Sequence, residues 1–258
     1  MPLTSTKNPF LQNIRRAITS GRTTEDGRIV IEGPHLVQEA LRSSWHLDQI
    51  IITPNGRDRH SQLLSKIHAE LTEIPSRAFE SLSGTETSQE IMAVVTPPIY
   101  QWKDCFTSPG VALVLDGIQD PGNAGTIVRS AEAFGASGLI FLEGSVHVPN
   151  GKFLRATAGS IFRLPYLEYQ KRPALMANLR AANRRLFALT AKAPTSLIQA
   201  AFLEPSAIIV GSEAHGVSPE LLACATGLRI PTSQVESLNA AVACSIALFE
   251  VARQRGAL

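Results

Sequence analysis

Long apolar runs are missing from this chain of 258 residues. None approaches the ~20 residues that a membrane-spanning helix needs, so no membrane partner is expected. The opening segment MPLTSTKNPFLQNIRRAITSGR lacks the apolar core of a secretory signal and reads better as a short amphipathic helix. Cysteine is scarce: Cys105, Cys224 and Cys244 make an odd number without metal-ligand spacing. Buried or half-buried free thiols in a reducing compartment follow, and with them a cytoplasmic protein. There is no internal repeat and no long low-complexity tract. Two nucleotide signatures are also absent. No G-x-x-x-x-G-K-[ST] occurs, which argues against a P-loop nucleotidase. The glycines at 117, 122 and 125 do not make the G-x-G-x-x-G of a dinucleotide oxidoreductase, and no ribose-binding carboxylate follows at the usual distance. His215 has no second histidine, cysteine or carboxylate spaced with it as a metal site.

What is present is an ordinary globular composition, 44% hydrophobic and 18% charged, with ample material for a core. The net charge is only +2, but it is unevenly spread. Lys7, Arg15, Arg16, Arg22 and Arg28 face only Glu25 and Asp26 in the first 28 residues. From Lys152 to Lys192, nine basic residues, Arg184 and Arg185 among them, face Glu168 alone. Such stripes either track a phosphate backbone or are solvated helix faces.

Prolines interrupt the chain between Val95 and Gly110. We expect a smaller α/β domain at 1–98, a linker at 99–110 and a larger α/β domain at 111–258. In the first, residues 35–44, 61–71 and 76–82 read as helices, and 48–53 and 91–95 as strands. In the second, the near-continuous apolar strands VALVLD, GLIFL, RLFALT, AIIVGS and GLRIP alternate with helices, including Ala124–Phe134 and a last one from about Leu238 to Arg253. That alternation implies a parallel sheet covered on both faces. Ligands in such sheets lie at the carboxyl ends of the strands, so the loops there become the candidates.

Three loops carry the chemistry. The first, LVLDGIQDPGNAGTIVRSAEAFG, breaks from strand into a Gly-rich turn and then a helix. Asn123 is placed to cap that helix, and Arg129, one to two turns in, could reach an anion or make a surface ion pair. The second, IIVGSEAHGVSPE, has Gly211 where a backbone could approach a ligand, Gly216 where φ could be positive, and Glu213 at the mouth of the sheet. The third runs from Ile230-Pro231 through Ser237-Leu238-Asn239 into an Ala-rich helix, where Ser237 could be the N-cap and Asn239 a first-turn residue.

In this order, the three stretches closely resemble the signature motifs of the SpoU (TrmH-type) branch of the SPOUT RNA methyltransferases. The motifs are LDGIQDPGNAGTIVRSAEAFG, IIVGSEAHGVS and RIPTSQVESLNAAVACSIALFE. Upstream, IVIEGPHLVQEAL and TSQEIMAVV resemble the family's N-terminal substrate-binding domain, which has a ribosomal-protein-like α/β fold. The resemblance implies a catalytic domain folded as an α/β trefoil knot, working as a homodimer. It also implies transfer of a methyl group from S-adenosyl-L-methionine to an RNA ribose 2′-oxygen. Its catalytic positions fall on Asn123, Arg129, Glu213, Ser237 and Asn239, and its cofactor contacts near Gly211, Ile230 and Leu238, with no metal. Thr232 departs from the family's usual methionine, and His215 stands at a variable position.

On this reading Arg129 binds the phosphate beside the target ribose and polarises the 2′-OH, while Asn123, Glu213, Ser237 and Asn239 orient it. Arginine stays protonated, so the phosphate contact is a better role for it than that of a free base. Ribosomal RNA is favoured over transfer RNA because of the separate N-terminal domain. A nonenzymatic RNA-binding protein on the same fold is the alternative. The basic stripes become RNA surfaces, so reversing Arg184 and Arg185 to Glu should weaken RNA binding.

Overall fold

The computed structural model describes residues 8–85, 87–107 and 110–256; Lys7 of the first basic stripe lies outside them. In chain order the elements begin α1 (Pro9–Ser20), β1 (Ile29–Glu32), α2 (Pro34–Leu41), β2 (His46–Ile52), α3 (Pro54–Arg59), α4 (Ser61–Leu64), β3 (Glu70–Glu73), α5 (Ser76–Glu80) and β4 (Ile91–Thr96). They continue with α6 (Trp102–Cys105), β5 (Val111–Asp116), α7 (Pro121–Ala133), β6 (Gly138–Leu142), α8 (Gly151–Ala156), β7 (Tyr166–Gln170), α9 (Arg172–Ala181) and β8 (Arg185–Leu189). The last are β9 (Thr195–Ser196), β10 (Ser206–Gly211), α10 (Pro219–Leu222), β11 (Thr226–Arg229) and α11 (Ala240–Gln254). No helix among the described residues is long and apolar enough to cross a membrane.

The chain divides into two compact units. One holds the described residues up to Ile99 together with His147–Arg163, and the other holds the rest. The first unit is built on a four-stranded sheet in the order β1-β4-β2-β3. Only the β2–β3 pair is parallel. The helix expected over 61–71 stops at Leu64, and its end is strand β3 instead. Leu71 and Thr72 pair there with Ile50 and Ile51, and Gln49 Nε2 donates to Thr72 Oγ1 at 2.6 Å. Sheet pairing outweighs the local helical spacing of the leucines. Helix α8 belongs to this unit and packs on β1, and just beyond it Phe162 meets Trp45 edge-on at 4.8 Å.

In the second unit seven strands run in the order β7-β6-β5-β10-β8-β11-β9. Every pairing is parallel. Register decides the core. Ala112 pairs with Ala207 and Val114 with Ile209 and Ile140, so these side chains share one face. That face closes over Leu175 and Leu179 of α9 and Leu221 of α10. A one-residue slip would turn all of them to the opposite side. Helices α7 and α11 pack together, and α11 also contacts β10. Strands β7 and β9 escaped the sequence reading: one is a half-exposed edge and the other has two residues.

The segment read as a linker contains α6, whose Cys105 is buried against β6. Ser137 Oγ donates to the Cys105 carbonyl at 2.7 Å, and a Cβ on Gly138 would sit 2.5 Å from Cys105 Cα. Burial pushes the Cys105 thiol up to about 12. Cys244 is also buried, whereas Cys224 is exposed rather than half-buried.

Arg184 is not part of an RNA surface. It is 8% exposed, and its guanidinium donates to four carbonyls. These are Gly110 at 2.9 Å, Ser206 at 3.1 Å, Thr107 at 3.2 Å, and Phe106. The Phe106 ring lies below it, 5.0 Å from Cζ. Burial lowers its pKa, and the nearby Arg255 lowers it further. Its neighbour Arg185 is exposed and paired with Glu204 at 3.4 Å. Charge-assisted bonds to buried carbonyls stabilise far more than a surface ion pair. Arg184→Ala should therefore lower the unfolding free energy by about 2–3 kcal/mol. Arg185→Ala should change it by less than about 1 kcal/mol, and denaturant unfolding of the two variants measures the contrast.

Candidate functional site

Helix α7 starts three residues earlier than expected. Asp120, not Asn123, is its N-cap and accepts from the Asn123 N–H at 2.7 Å. Pro121 takes the first helical position, where its missing N–H and fixed φ cost nothing. The Asn123 side chain is thereby released from capping. At the other helix the expected roles also change hands. Asn239 is the N-cap of α11, its Oδ1 accepting from Ala241 N–H at 2.9 Å and Val242 N–H at 3.2 Å. Ser237 stays exposed ahead of the helix.

Capping fixes the direction of a hydrogen-bond chain. With its oxygen committed to backbone N–H groups, Asn239 must present Nδ2 outward, and it donates to Asn123 Oδ1 at 3.1 Å. That leaves Asn123 Nδ2 as a donor, and it bonds to Glu213 Oε1. The carboxylate, which only accepts, ends the chain. Both amide orientations follow from the network rather than from choice. Three loops, far apart in sequence, meet through three side chains.

Glu213 rides on the turn after β10, which is held tightly. Gly216 N–H bonds to the Ser212 carbonyl at 2.8 Å, and Gly216 has φ +67°. A Cβ on Gly211 would lie 2.0 Å from the Gly216 carbonyl carbon and 2.1 Å from Val217 N. Glycine is required at 211 by the turn's own backbone, which is a different reason from the ligand approach expected.

Beside this chain lies a cleft of about 690 Å³. That is within the ~300–1,000 Å³ usual for small-molecule sites. Gly211, Ile230 and Leu238 line it, as do Glu213, Ser237 and Asn239. A wall that sequence reasoning missed comes from Leu189 at the end of β8 and from the loop after it, through Lys192. Lys192 thus faces the cleft, where it had been counted only in a basic stripe. The rule that ligands gather at strand carboxyl ends could have found this loop. Thr232, also lining the cleft, turns back to bond the Val235 carbonyl at 2.6 Å. His215 stands at the cleft's edge with its N–H on Ser212 Oγ at 3.2 Å.

Arg129 is not brought to this cluster. It is exposed on α7, does not line the cleft, and makes no hydrogen bond or ion pair among the described residues. Six residues beyond Asn123, it points about 120° around the helix from it.

A parallel α/β sheet with a cleft at its strand ends, bordered by a directed polar chain, defines a small-molecule-binding α/β domain of the enzyme type. The chain belongs to the SpoU rRNA Methylase family, whose profile matches residues 110–249. Residues 8–93 match the MRM3-like substrate binding domain. The chain is 33% identical over 251 residues to the 23S rRNA (guanosine(2553)-2′-O)-methyltransferase RlmP of Bacillus subtilis, covering 96% of this chain and 97% of that one. It is 30% identical over 260 residues to an uncharacterized tRNA/rRNA methyltransferase of Synechocystis, covering 99% and 94%. Among solved structures, the SpoU methyltransferase AviRb from Streptomyces viridochromogenes in complex with AdoMet superposes with a TM-score of 0.85 at 25% identity, covering 96% and 98%. An AdoMet-bound rRNA methyltransferase from Sinorhizobium meliloti gives 0.83 at 26%, covering 97% and 96%. The chain is an RNA ribose methyltransferase that uses S-adenosylmethionine.

The divided amide of Asn239 allows its two roles to be separated. Asn239→Asp keeps an oxygen for the cap but loses the donor to Asn123, so stability should stay near wild type while methyl transfer falls at least about tenfold. Asn239→Ala should lose the activity and also about 1 kcal/mol of stability. Denaturant unfolding alongside a methyl-transfer assay reads both.

Proposed function

We propose that the cleft lined by Gly211, Ile230 and Leu238 holds the cofactor, and that Asn123, Glu213, Ser237, Asn239 and Arg129 carry methyl transfer to a ribose of ribosomal RNA. The observation that carries this reading is the directed chain from Asn239 through Asn123 to Glu213 at the border of the cleft. The cleft suits the cofactor's chemistry. Leu189, Leu228, Ile230, Leu238 and Ala243 offer apolar walls for an adenosine, and Thr190, Lys192 and Ser237 offer polar partners for a charged amino-acid end. When bound, S-adenosylmethionine supplies the methyl group that the ribose oxygen takes up. The chain's own residues position the reactants, which under ideal alignment removes ~7–11 kcal/mol of barrier.

Glu213 and the two asparagines order the polar border against which the ribose rests. Arg129, with no competing partner among the described residues, is free to grip the phosphate next to that ribose and to draw the 2′-OH into line. The rRNA-directed relative RlmP supports ribosomal RNA over transfer RNA. Lys152 and Arg155 of α8 remain as phosphate-contact candidates in the first unit. By contrast, Arg16 is paired with Glu25, Arg28 with Asp26, and Arg163 with Glu39.

The reading includes a cytoplasmic homodimer and the family's trefoil knot. Val242, Ile246 and Phe249 are 47%, 38% and 47% exposed at i, i+4 and i+7 along α11, and Phe249 meets Phe134 edge-on at 5.9 Å. An apolar stripe of that spacing suits burial against a second copy. Ile246→Glu should convert the dimer to monomers, read by light scattering after size exclusion; an unchanged mass would remove the dimer from the reading.

The deciding experiment is transfer of labelled methyl to ribosomal and transfer RNA pools lacking the modification, with wild type and Arg129→Ala. Ribose label in the ribosomal pool, lost in the variant while cofactor binding persists, is expected. Label in the transfer RNA pool alone would overturn the substrate assignment, and equal activity of the variant would overturn the role of Arg129.

A further inference from the structure

We propose that Arg172, at the start of α9, is a positioning residue for the methyl-transfer site. Acting through Asp116 and Ser218, it holds the 212–218 loop that carries Glu213 and forms one wall of the cleft. This rests on reading that cleft as the cofactor site, and adds to it the device that keeps the wall in place.

Asp116 is the last residue of β5 and is 3% exposed. It grips the loop at both ends. Its backbone carbonyl accepts from the Ser212 N–H at 3.2 Å, and its Oδ2 accepts from the Ser218 N–H at 2.7 Å. Six residues apart in sequence, the two ends of the turn are bound to one residue of the neighbouring strand. A buried carboxylate is costly without a cation and hydrogen bonds to satisfy it. Arg172 supplies the cation, Nη2 donating to Asp116 Oδ1 at 2.8 Å.

The same guanidinium makes a second bond that a simple counter-ion would not. Its Nε donates to Ser218 Oγ at 2.9 Å. Ser218 occupies the N-cap position of α10, where a serine hydroxyl ordinarily bonds to a helix N–H, yet its side chain caps nothing. The hydroxyl is turned to Arg172 instead. Forgoing a cap worth about 1 kcal/mol is hard to explain by helix stability, and is explained by a clamp at the loop's end. The planar fork of arginine spans carboxylate and hydroxyl together, which a lysine ammonium does not reproduce in fixed geometry. Glu220 lies 3.7 Å from Nε but is 76% exposed, so it adds little.

The loop itself has no slack. Ser212 and Gly216 are bridged, and the Gly211 site is filled by the backbone of Gly216 and Val217. Release at Ser218 would therefore shift the turn as a body, taking with it Glu213 and the wall formed by Ser212–Val217.

The test uses full-length protein and S-adenosylhomocysteine as the probe, with calorimetric affinities for wild type, Arg172→Ala, Arg172→Lys, Ser218→Ala and the Arg172→Ala/Ser218→Ala double variant. Each is paired with denaturant unfolding and with hydrogen exchange of the 212–218 segment in ligand-free protein. We expect Arg172→Ala to weaken affinity about tenfold, Arg172→Lys to recover only part of it, and the double variant to be no weaker than Arg172→Ala alone. Exchange at Ser212 and Ser218 should quicken in step. Unchanged affinity in Arg172→Ala, with or without lower stability, would reduce the residue to a structural role, and additive losses in the double variant would break the link to Ser218. If Arg172→Ala does not fold, unchanged affinity in both Arg172→Lys and Ser218→Ala overturns the proposal. Leu238→Arg serves as a control within the cleft. Its binding like wild type would sink the cofactor-site reading, whereas the exchange data would still judge the clamp.

Discussion

The carboxamide of Asn239 is divided between two tasks. Its oxygen takes the first free N–H groups of α11, and its nitrogen is left to donate to Asn123. Everything at the polar border depends on that division. Once the cap is formed, Asn123 can only accept from Asn239 and donate to Glu213, so the residue chain has one direction and one acidic end. A helix cap, normally a device of local stability, here sets the polarity of a site assembled from three loops. The release of Asn123 from its own helix, made possible by Asp120, is the matching condition.

The sheet supplies the frame. Strand β10 lies between β5 and β8, so the turn carrying Glu213 is flanked by the end of β5 on one side and the 189–192 loop on the other. Parallel strands bring their carboxyl ends to one edge, and every cleft-forming segment except Leu222 of α10 and the start of α11 lies at that edge. Asp116 then ties two neighbouring strand ends together across the edge. Cleft wall and polar border share a foundation in the β5–β10 pair.

Much of this was legible in the residues. The apolar strands from VALVLD to GLRIP announced a covered parallel sheet, and five of its seven strands were read directly. The three motif loops were found, and Asn123, Glu213 and Asn239 do meet. What was hidden had physical causes. Residues 70 and 71 end a helical spacing over 61–71 that pairing with β2 overrides. The neighbours of Arg184 are the carbonyls of Phe106, Thr107, Gly110 and Ser206, invisible to a count of charges along the chain. Cap assignments slipped by two or three residues because Asp120, Asn123, Ser237 and Asn239 are all competent caps, and only the backbone geometry chooses among them. Residues 147–163 gather with the first unit through contacts of α8 with β1 that no boundary in composition marks.

The crowding at Gly211 has a further consequence. Because the space where its side chain would stand is filled by the peptide between Gly216 and Val217, no side chain can stand at position 211 of the cleft lining. At that position the shape is written in peptide geometry. Variation in what the cleft admits must then arise elsewhere in the lining, as where Lys192, Ile230 and Thr232 present replaceable side chains. The molecule separates a fixed face, common to any ligand of this shape, from adjustable faces on which selectivity can drift without unfolding the turn.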